Sequence, residues 1–327
     1  MRILIIKLGA LGDILRTTCI LRGLKEKYKD CKISWLTKEE GSVILQNNNL
    51  IDDIYTNYNN LGKFDLVISL DEEACDIATK IRKEELVGCY LNGGKKVYTS
   101  NSVTWFDMGL ISKFGKEKAN ELKKSNTKTF QNHLSNMLDV ESEGYIFNLT
   151  KKEKDFSLKF AKKHNLQGTI IGLNTGAGRR WELKKINVNK TVELAERLVK
   201  ELNVQVILFG GPEEKERNKE ILKKSGVEII DAGCDNTLRN FAALIDLCDI
   251  FITSDTLAMH LGIALRKKVI AFFGPTSAAE IDLYGKGRKI IADSDCYCCY
   301  KKKIEEGIYC TDKIEVNELF EAVRELK

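Results

Sequence analysis

Long apolar runs are missing from this sequence of 327 residues; the longest, such as Val269 to Phe273, extend over only a few residues. None could span a bilayer. A signal-peptide layout is missing too, because Met1-Arg2-Ile3-Leu4 leads straight into a strand-like run. Both absences predict a cytoplasmic protein. Proline occurs twice, and no Pro- or Gly-rich stretch marks a linker. GxxxxGK followed by Ser or Thr, HExxH and GxSxG do not occur, and there is no clear DxD. Kinase, zinc-protease and α/β-hydrolase readings therefore fall away. Charge of one sign is also lacking: 52 basic residues stand against 47 acidic ones, for a net +5, and they are interspersed. This balance does not call for nucleic acid. It suits a phosphorylated substrate or brief contact with an anionic membrane surface.

What is present is an ordinary soluble globular mix, 43% hydrophobic and 30% charged, in a chain long enough for two domains. The first half opens with Arg2 to Leu8, a nearly continuous apolar run of the kind a buried parallel strand requires. A helical pattern follows from Asp13 to Tyr28, then strand patterns at Lys32 to Thr37, Ile51 to Thr56 and Phe64 to Leu70. Residues 100 to 165 lose this rhythm and read as Lys-rich helices. The alternation restarts with strands at Thr169 to Leu173, Val204 to Phe209, Val227 to Ile230, Ile250 to Thr253 and Lys268 to Phe273, each separated by helix. Repeated strand–helix units predict an α/β protein with two doubly wound domains, 1–165 and 166–327. The last helix, from Val316, is a candidate to pack back on the first domain. In such sheets ligands bind at the carboxyl ends of the strands.

The loops that could carry chemistry all lie at such ends. Gly9-Ala10-Leu11-Gly12-Asp13 offers two glycines for a tight turn and a carboxylate at a helix start. Asp13 is open to two readings, a helix N-cap or a base turned toward a substrate. Asn174-Thr175-Gly176-Ala177-Gly178-Arg179-Arg180-Trp181 begins like a dinucleotide fingerprint but has Trp where the third Gly belongs. Arg179, Arg180 and Lys184 remain as a cationic group able to grip a diphosphate, or as a solvated basic loop. Gly210-Gly211-Pro212-Glu213-Glu214 is a helix start, with its acids also placed to accept from ribose hydroxyls. Ser254-Asp255-Thr256-Leu257-Ala258-Met259-His260 runs strand, polar turn, helix, an arrangement that points backbone amides at an anion. Thr276 and Ser277 cap a helix or meet a phosphate oxygen.

Ten cysteines are present. Six are scattered singly and read as small buried hydrophobes. Cys296, Cys298, Cys299 and Cys310 cluster, but their spacing is not that of a usual zinc site. The cluster reads as structural or oxidisable thiols, with a bound metal as the alternative.

Taken together the loops resemble glycosyltransferase family 9, the heptosyltransferases of lipopolysaccharide core assembly. The resemblance runs from Ile5 through Asp13 with Thr17-Thr18 and Leu21-Arg22, resumes at Phe64 to Ile68 and Gly176-Ala177, and is strongest from Leu238 to Thr276. It implies a GT-B fold, two facing Rossmann-like domains, with acceptor on the first and nucleotide sugar on the second. It implies inverting, metal-independent transfer of a sugar, heptose from ADP-heptose, to a lipopolysaccharide-core or related glycan, without a cofactor. Asp13 then acts as base and Arg179 or Arg180 stabilises the leaving diphosphate. Gly9, Gly12, Thr175, Gly176, Lys184, Glu214, Ser254, Asp255, Thr256, Leu257, Met259 and His260 line the substrates. The implied setting is the cytoplasm, with peripheral contact at the inner membrane face. The chain departs from the family pattern at Leu257-Ala258, where Gly-Pro is frequent, at Arg180 for the usual Lys before Trp, and at Glu182 after Trp181. The competing readings are a nucleotide-sugar epimerase, or another transferase with a different donor, and a metal- or redox-sensing protein on the same scaffold.

Overall fold

A computed structural model describes residues 1–59, 61–294, 298–303 and 309–327. Contacts group it into two compact units, Met1–Asn148 with Ala279–Asp282, and Leu149–Ala278 with Leu283–Lys327.

In the first unit the apolar runs form parallel strands β1 (Arg2–Ile6), β2 (Lys32–Leu36), β3 (Asp53–Tyr55), β4 (Phe64–Ser69) and β5 (Lys83–Asn92). Strand β6 (Lys95–Tyr98) turns back antiparallel on β5. The sheet order is β3-β2-β1-β4-β5-β6, with β1 and β4 side by side at its centre. Ile3, Leu4, Ile5 and Ile6 are all fully buried, as a central strand covered on both faces demands. The β5–β6 hairpin lies outside the sequence expectations. Its turn is Asn92-Gly93-Gly94 with both glycines at positive φ, the turn chemistry a two-residue hairpin needs. The expected helix from Asp13 to Tyr28 is three pieces: Leu11–Thr17, a 3-10 turn Thr18–Ile20, and Leu21–Lys27.

The second unit holds β7 (Ile170–Asn174), β8 (Gln205–Leu208), β9 (Ile230–Asp231), β10 (Ile250–Ser254), β11 (Lys268–Phe273) and β12 (Gly287–Ile291), all parallel, in the order β12-β11-β10-β7-β8-β9. The two sheets wind about their centres in the same way: the first strand of each unit (β1, β7) neighbours the fourth (β4, β10). This is the doubly wound arrangement, whose strand order reverses there.

The unit boundary falls earlier than 165/166. Helix Lys151–Lys163 belongs to the second unit, where it packs on helix Leu238–Ile245. Glu153 is the hinge of that packing. It completes a capping box with Thr150 and pairs through both oxygens with the buried Arg239. Burial opposes its ionisation, but the Arg239 and Thr150 hydrogen bonds outweigh it and keep the carboxyl below its ordinary range. The last helix, Val316–Leu326, groups with the second unit rather than the first. Its apolar face (Leu319, Phe320, Val323) is part of the second unit's core and packs against helix Val188–Leu202. Among the described residues no helix is long and apolar enough to cross a membrane.

His133, on helix Phe130–Leu138, is buried beside Asn126 and Thr104, and burial, with Lys128 nearby, pushes its pKa down to about 4. The unfolded imidazole titrates near about 6.5. Between these values the unfolded chain holds a proton the folded chain does not, so stability falls as pH drops through that window. Urea midpoints at pH 7.5 and pH 5 should show this loss, and His133→Gln should reduce it. An unchanged pH slope in the variant would contradict the assignment.

Candidate active site

Each candidate loop begins where a parallel strand ends. In the first unit the chain leaves β1 at Ile6 and enters helix Leu11–Thr17 after four residues. One carboxylate shapes that turn. Asp71, two residues past β4, pairs with Lys7 Nζ and accepts from the amides of Leu8 and Gly9, the last at 3.0 Å. The positive φ falls on Ala10, at 29°, rather than on either glycine expected to supply it. Ala10 is also the helix N-cap and makes no side-chain cap bond.

Asp13 is therefore the third helical residue, not the cap. Its amide donates to Ala10 O at 2.8 Å, and its carboxylate pairs with Arg16 at 2.9 Å. The side chain is about a third exposed. A carboxylate in the first turn also faces the positive end of the helix dipole.

In the second unit four loops follow β7, β8, β10 and β11. Glu214 binds two of them together. One of its oxygens accepts from Gly178 N at 2.7 Å and the other from Gly211 N at 3.1 Å. Gly176 cannot carry a side chain here, because a Cβ would lie 2.3 Å from Glu214 Cγ. Each carboxylate oxygen has a further lone pair for an incoming hydroxyl.

Lys184 and Asp255 bind β7's loop to that of β10. The buried Lys184 ammonium donates to the Asp255 carbonyl at 2.6 Å and to its carboxylate at 2.8 Å, and lies 4.7 Å from the Trp181 ring centre. His260 Nε2 stands 4.0 Å from the other Asp255 oxygen. Burial works against the Asp255 charge, but Lys184 and then His260 outweigh it and bring the carboxyl down to about 2. Thr256 is the N-cap of helix Leu257–Ala264 and donates to Ser254 O at 3.3 Å. The first amides of that helix face the turn.

The predicted residues thus sort into three groups. Asp255, Thr256 and Leu257 are half-buried at the loop, and Arg179 and Arg180 are exposed, with Arg179 paired to Glu213. Glu214, Lys184 and His260 are buried and bind the loops together. Thr175, Ser254 and Met259 lie in the interior; Thr175 Oγ1 accepts from Thr191 at 3.1 Å, and Met259 is fully buried. Gly12 lies buried in the first helix. Asp71, Arg16 and Glu280 were not among the sequence candidates. Asp71 carried a signal nonetheless, as an acid directly past a buried strand.

Of the cysteine cluster, Cys296 lies outside the described residues. Cys298 and Cys310 are buried and Cys299 is half-buried. Cys310 Sγ sits against Gly274, where a Cβ would meet it at 2.6 Å. Among the described residues no set of three His, Cys, Asp or Glu side chains is arranged to hold a metal ion.

The sequence profile of glycosyltransferase family 9 (heptosyltransferase) matches residues 116–309. The chain belongs to this family. It is a glycosyltransferase, and its two Rossmann-like units are those of the GT-B fold. Lipopolysaccharide heptosyltransferase 1 of Campylobacter coli is 23% identical over 100% of this chain and 99% of its own. Lipopolysaccharide heptosyltransferase 2 of Salmonella typhimurium is 33% identical over 38% of this chain and 34% of its own. Among solved structures, the glycosyl transferase family 9 protein of Veillonella parvula superposes with a TM-score of 0.81 at 22% identity, over 99% of this chain and 96% of that one. The E. coli heptosyltransferase WaaC with ADP gives a TM-score of 0.66 at 16% identity, over 100% of both chains.

The buried pair yields a stability test for this family 9 chain. Lys184→Met leaves the half-buried Asp255 carboxylate without its ammonium, at a cost of about 2–4 kcal/mol in urea unfolding. Adding Asp255→Asn should restore a large part. The folded carboxyl titrates at about 2, below the unfolded range near about 4. Its stabilisation is therefore complete above about pH 4 and lost toward pH 2. A single-variant loss under about 1 kcal/mol would contradict this.

Proposed function

We propose that this glycosyltransferase moves heptose from ADP-heptose onto a lipopolysaccharide-core or related glycan, with inversion at the anomeric carbon and without a metal ion. The observation that carries this reading is the set of loops at the carboxyl ends of β7, β8 and β10. There Glu214, Lys184 and Asp255 fix a turn of backbone amides and leave two arginines exposed beside it. Such a construction suits a nucleoside diphosphate. Heptosyltransferases from Campylobacter coli and Salmonella typhimurium are relatives, and the WaaC neighbour was solved with ADP.

In this reading the second unit takes the donor and the first takes the acceptor. The amides of Thr256 and Leu257 receive the diphosphate, with Asp255 and His260 holding the turn in shape. Glu214 accepts from ribose hydroxyls. Thr175, Ser254 and Met259, being interior, support the loop rather than touch the sugar. Asp13 takes the proton from the acceptor hydroxyl as its oxygen attacks the anomeric carbon. The bond from that carbon to the diphosphate breaks, and ADP leaves with the bond's electron pair, its charge met by Arg179 or Arg180. Gly9 leaves room for the acceptor, while Gly12, being buried in the first helix, supports the turn from within. An acceptor of this class is displayed at a membrane, so we place the enzyme at its cytoplasmic face, in peripheral contact.

Two measurements test the reading. In a thermal-shift screen ADP-heptose should raise the melting temperature more than UDP- or GDP-sugars do, since a ligand bound only by the folded state stabilises it. No shift with any nucleotide sugar would refute a donor site. Asp13→Asn should lower kcat by about 10²- to 10⁴-fold while donor affinity stays within about twofold. Equal loss of both would make Asp13 a structural residue. Sugar conversion without any acceptor would point to an epimerase instead.

A further inference from the structure

Arg16 lies one helical turn beyond Asp13 and is buried, although arginine seldom is. Its guanidinium is enclosed within the first unit. It lies 3.9 Å from the Phe130 ring centre and 5.7 Å from that of Trp105, and the two rings meet edge to face. Nη2 pairs with Asp13 Oδ1 at 2.9 Å, and Nη1 stands 3.6 Å from Glu280 Oε2. Glu280 comes from the short segment Ala279–Asp282, far along the chain but part of the first unit. That segment is fixed independently, because Glu280 O accepts from Phe130 N at 3.0 Å, the first amide of helix Phe130–Leu138. One buried guanidinium thus serves two carboxylates from distant parts of the chain, on an aromatic floor that prevents it from swinging away.

From this arrangement we infer that Arg16 and Glu280 form a clamp that sets both the direction and the basicity of Asp13. Arg16 is a positioning residue: it holds Oδ1 and so orients the other carboxylate oxygen. Its charge favours the ionised form, ready to accept a proton. Glu280 competes for the same guanidinium, weakens that effect, and keeps Asp13 from becoming too poor a base. The inference rests on the proposed role of Asp13.

Further charged groups lie on the elements that pack against this helix. Helix Leu11–Thr17 packs against helices Glu39–Leu45 and Phe130–Leu138. Of their titratable residues, Glu39 and Glu40 are exposed, and His133 is bound to Asn126 and Thr104. In the preceding turn Lys7 is paired with Asp71.

The test is the pH profile of kcat/KM, measured as ADP release from ADP-heptose with a heptose-deficient core oligosaccharide. Arg16→Met should move the acidic limb up by about one unit. Glu280→Gln should move it the opposite way, because it removes a negative charge that competes with Asp13 for the Arg16 guanidinium. Arg16→Lys, which retains the charge, should restore a limb close to the parent's. Opposite shifts are what a purely structural role would not produce. An unmoved limb in Arg16→Met or Glu280→Gln, or shifts in the same direction, would overturn the clamp. Should Arg16→Met fail to fold, Arg16→Lys and Glu280→Gln carry the same test. If Asp13→Asn retains turnover within a few-fold, the base assignment and the clamp fall together; if Asp13→Asn is inactive and the limbs do not move, only the clamp falls.

Discussion

A lysine–aspartate pair at the centre of each sheet is the constraint on which the rest depends. In the first unit Lys7 follows β1 and Asp71 follows the neighbouring β4; in the second Lys184 follows β7 and Asp255 follows the neighbouring β10. Both pairs therefore bridge the loops after the first and fourth strands, where the winding of a doubly wound sheet reverses and a crevice opens. The same solution appears twice, at equivalent points of two sheets. A crevice lined by loops has few apolar contacts to fix it, and a buried ion pair with its hydrogen bonds satisfied supplies a defined geometry instead.

Buried pairs of this kind are a poor source of net stability, since desolvation offsets much of the attraction. Their value here is definition. Asp71 uses Lys7 and two backbone amides to set the turn that leads to Asp13, and Lys184 uses both the carbonyl and the carboxylate of Asp255 to set the turn that leads to Thr256. Around these anchors stand the groups that remain accessible, Asp13 in one unit and Arg179, Arg180 and Thr256 in the other. Within each unit the anchoring pair is more buried than the groups beside it, as Lys7 and Lys184 are buried while Arg179 and Arg180 are exposed.

Much of this was legible in the residues. Strands buried on both faces announce themselves as apolar runs, and each candidate loop stands at the end of one. The β5–β6 hairpin was not read, because its strands carry Lys83, Glu84, Glu85, Lys95 and Lys96 and are half-exposed, although Asn92-Gly93-Gly94 marks its turn. The unit boundary was displaced because helix Lys151–Lys163 is secured by Glu153 and Arg239, partners 86 residues apart. No local pattern reveals such a pair. Asp13 looked like an N-cap because Asp is favoured there; the actual cap, Ala10, makes no side-chain bond and depends on Asp71 to hold its neighbours. Thr175 and Met259 fit a binding motif by position, and only the packing shows that they face inward.

The central claim is that these two sets of loops serve one inverting transfer from an ADP-sugar. Its most direct test is ADP release by the intact protein from ADP-heptose in the presence of EDTA, with and without a heptose-deficient core oligosaccharide, and the anomeric configuration of the product read by NMR. The account predicts acceptor-dependent release, undiminished by EDTA, and a product of inverted configuration. Release that needs no acceptor, that EDTA abolishes, or that yields retained configuration would contradict it.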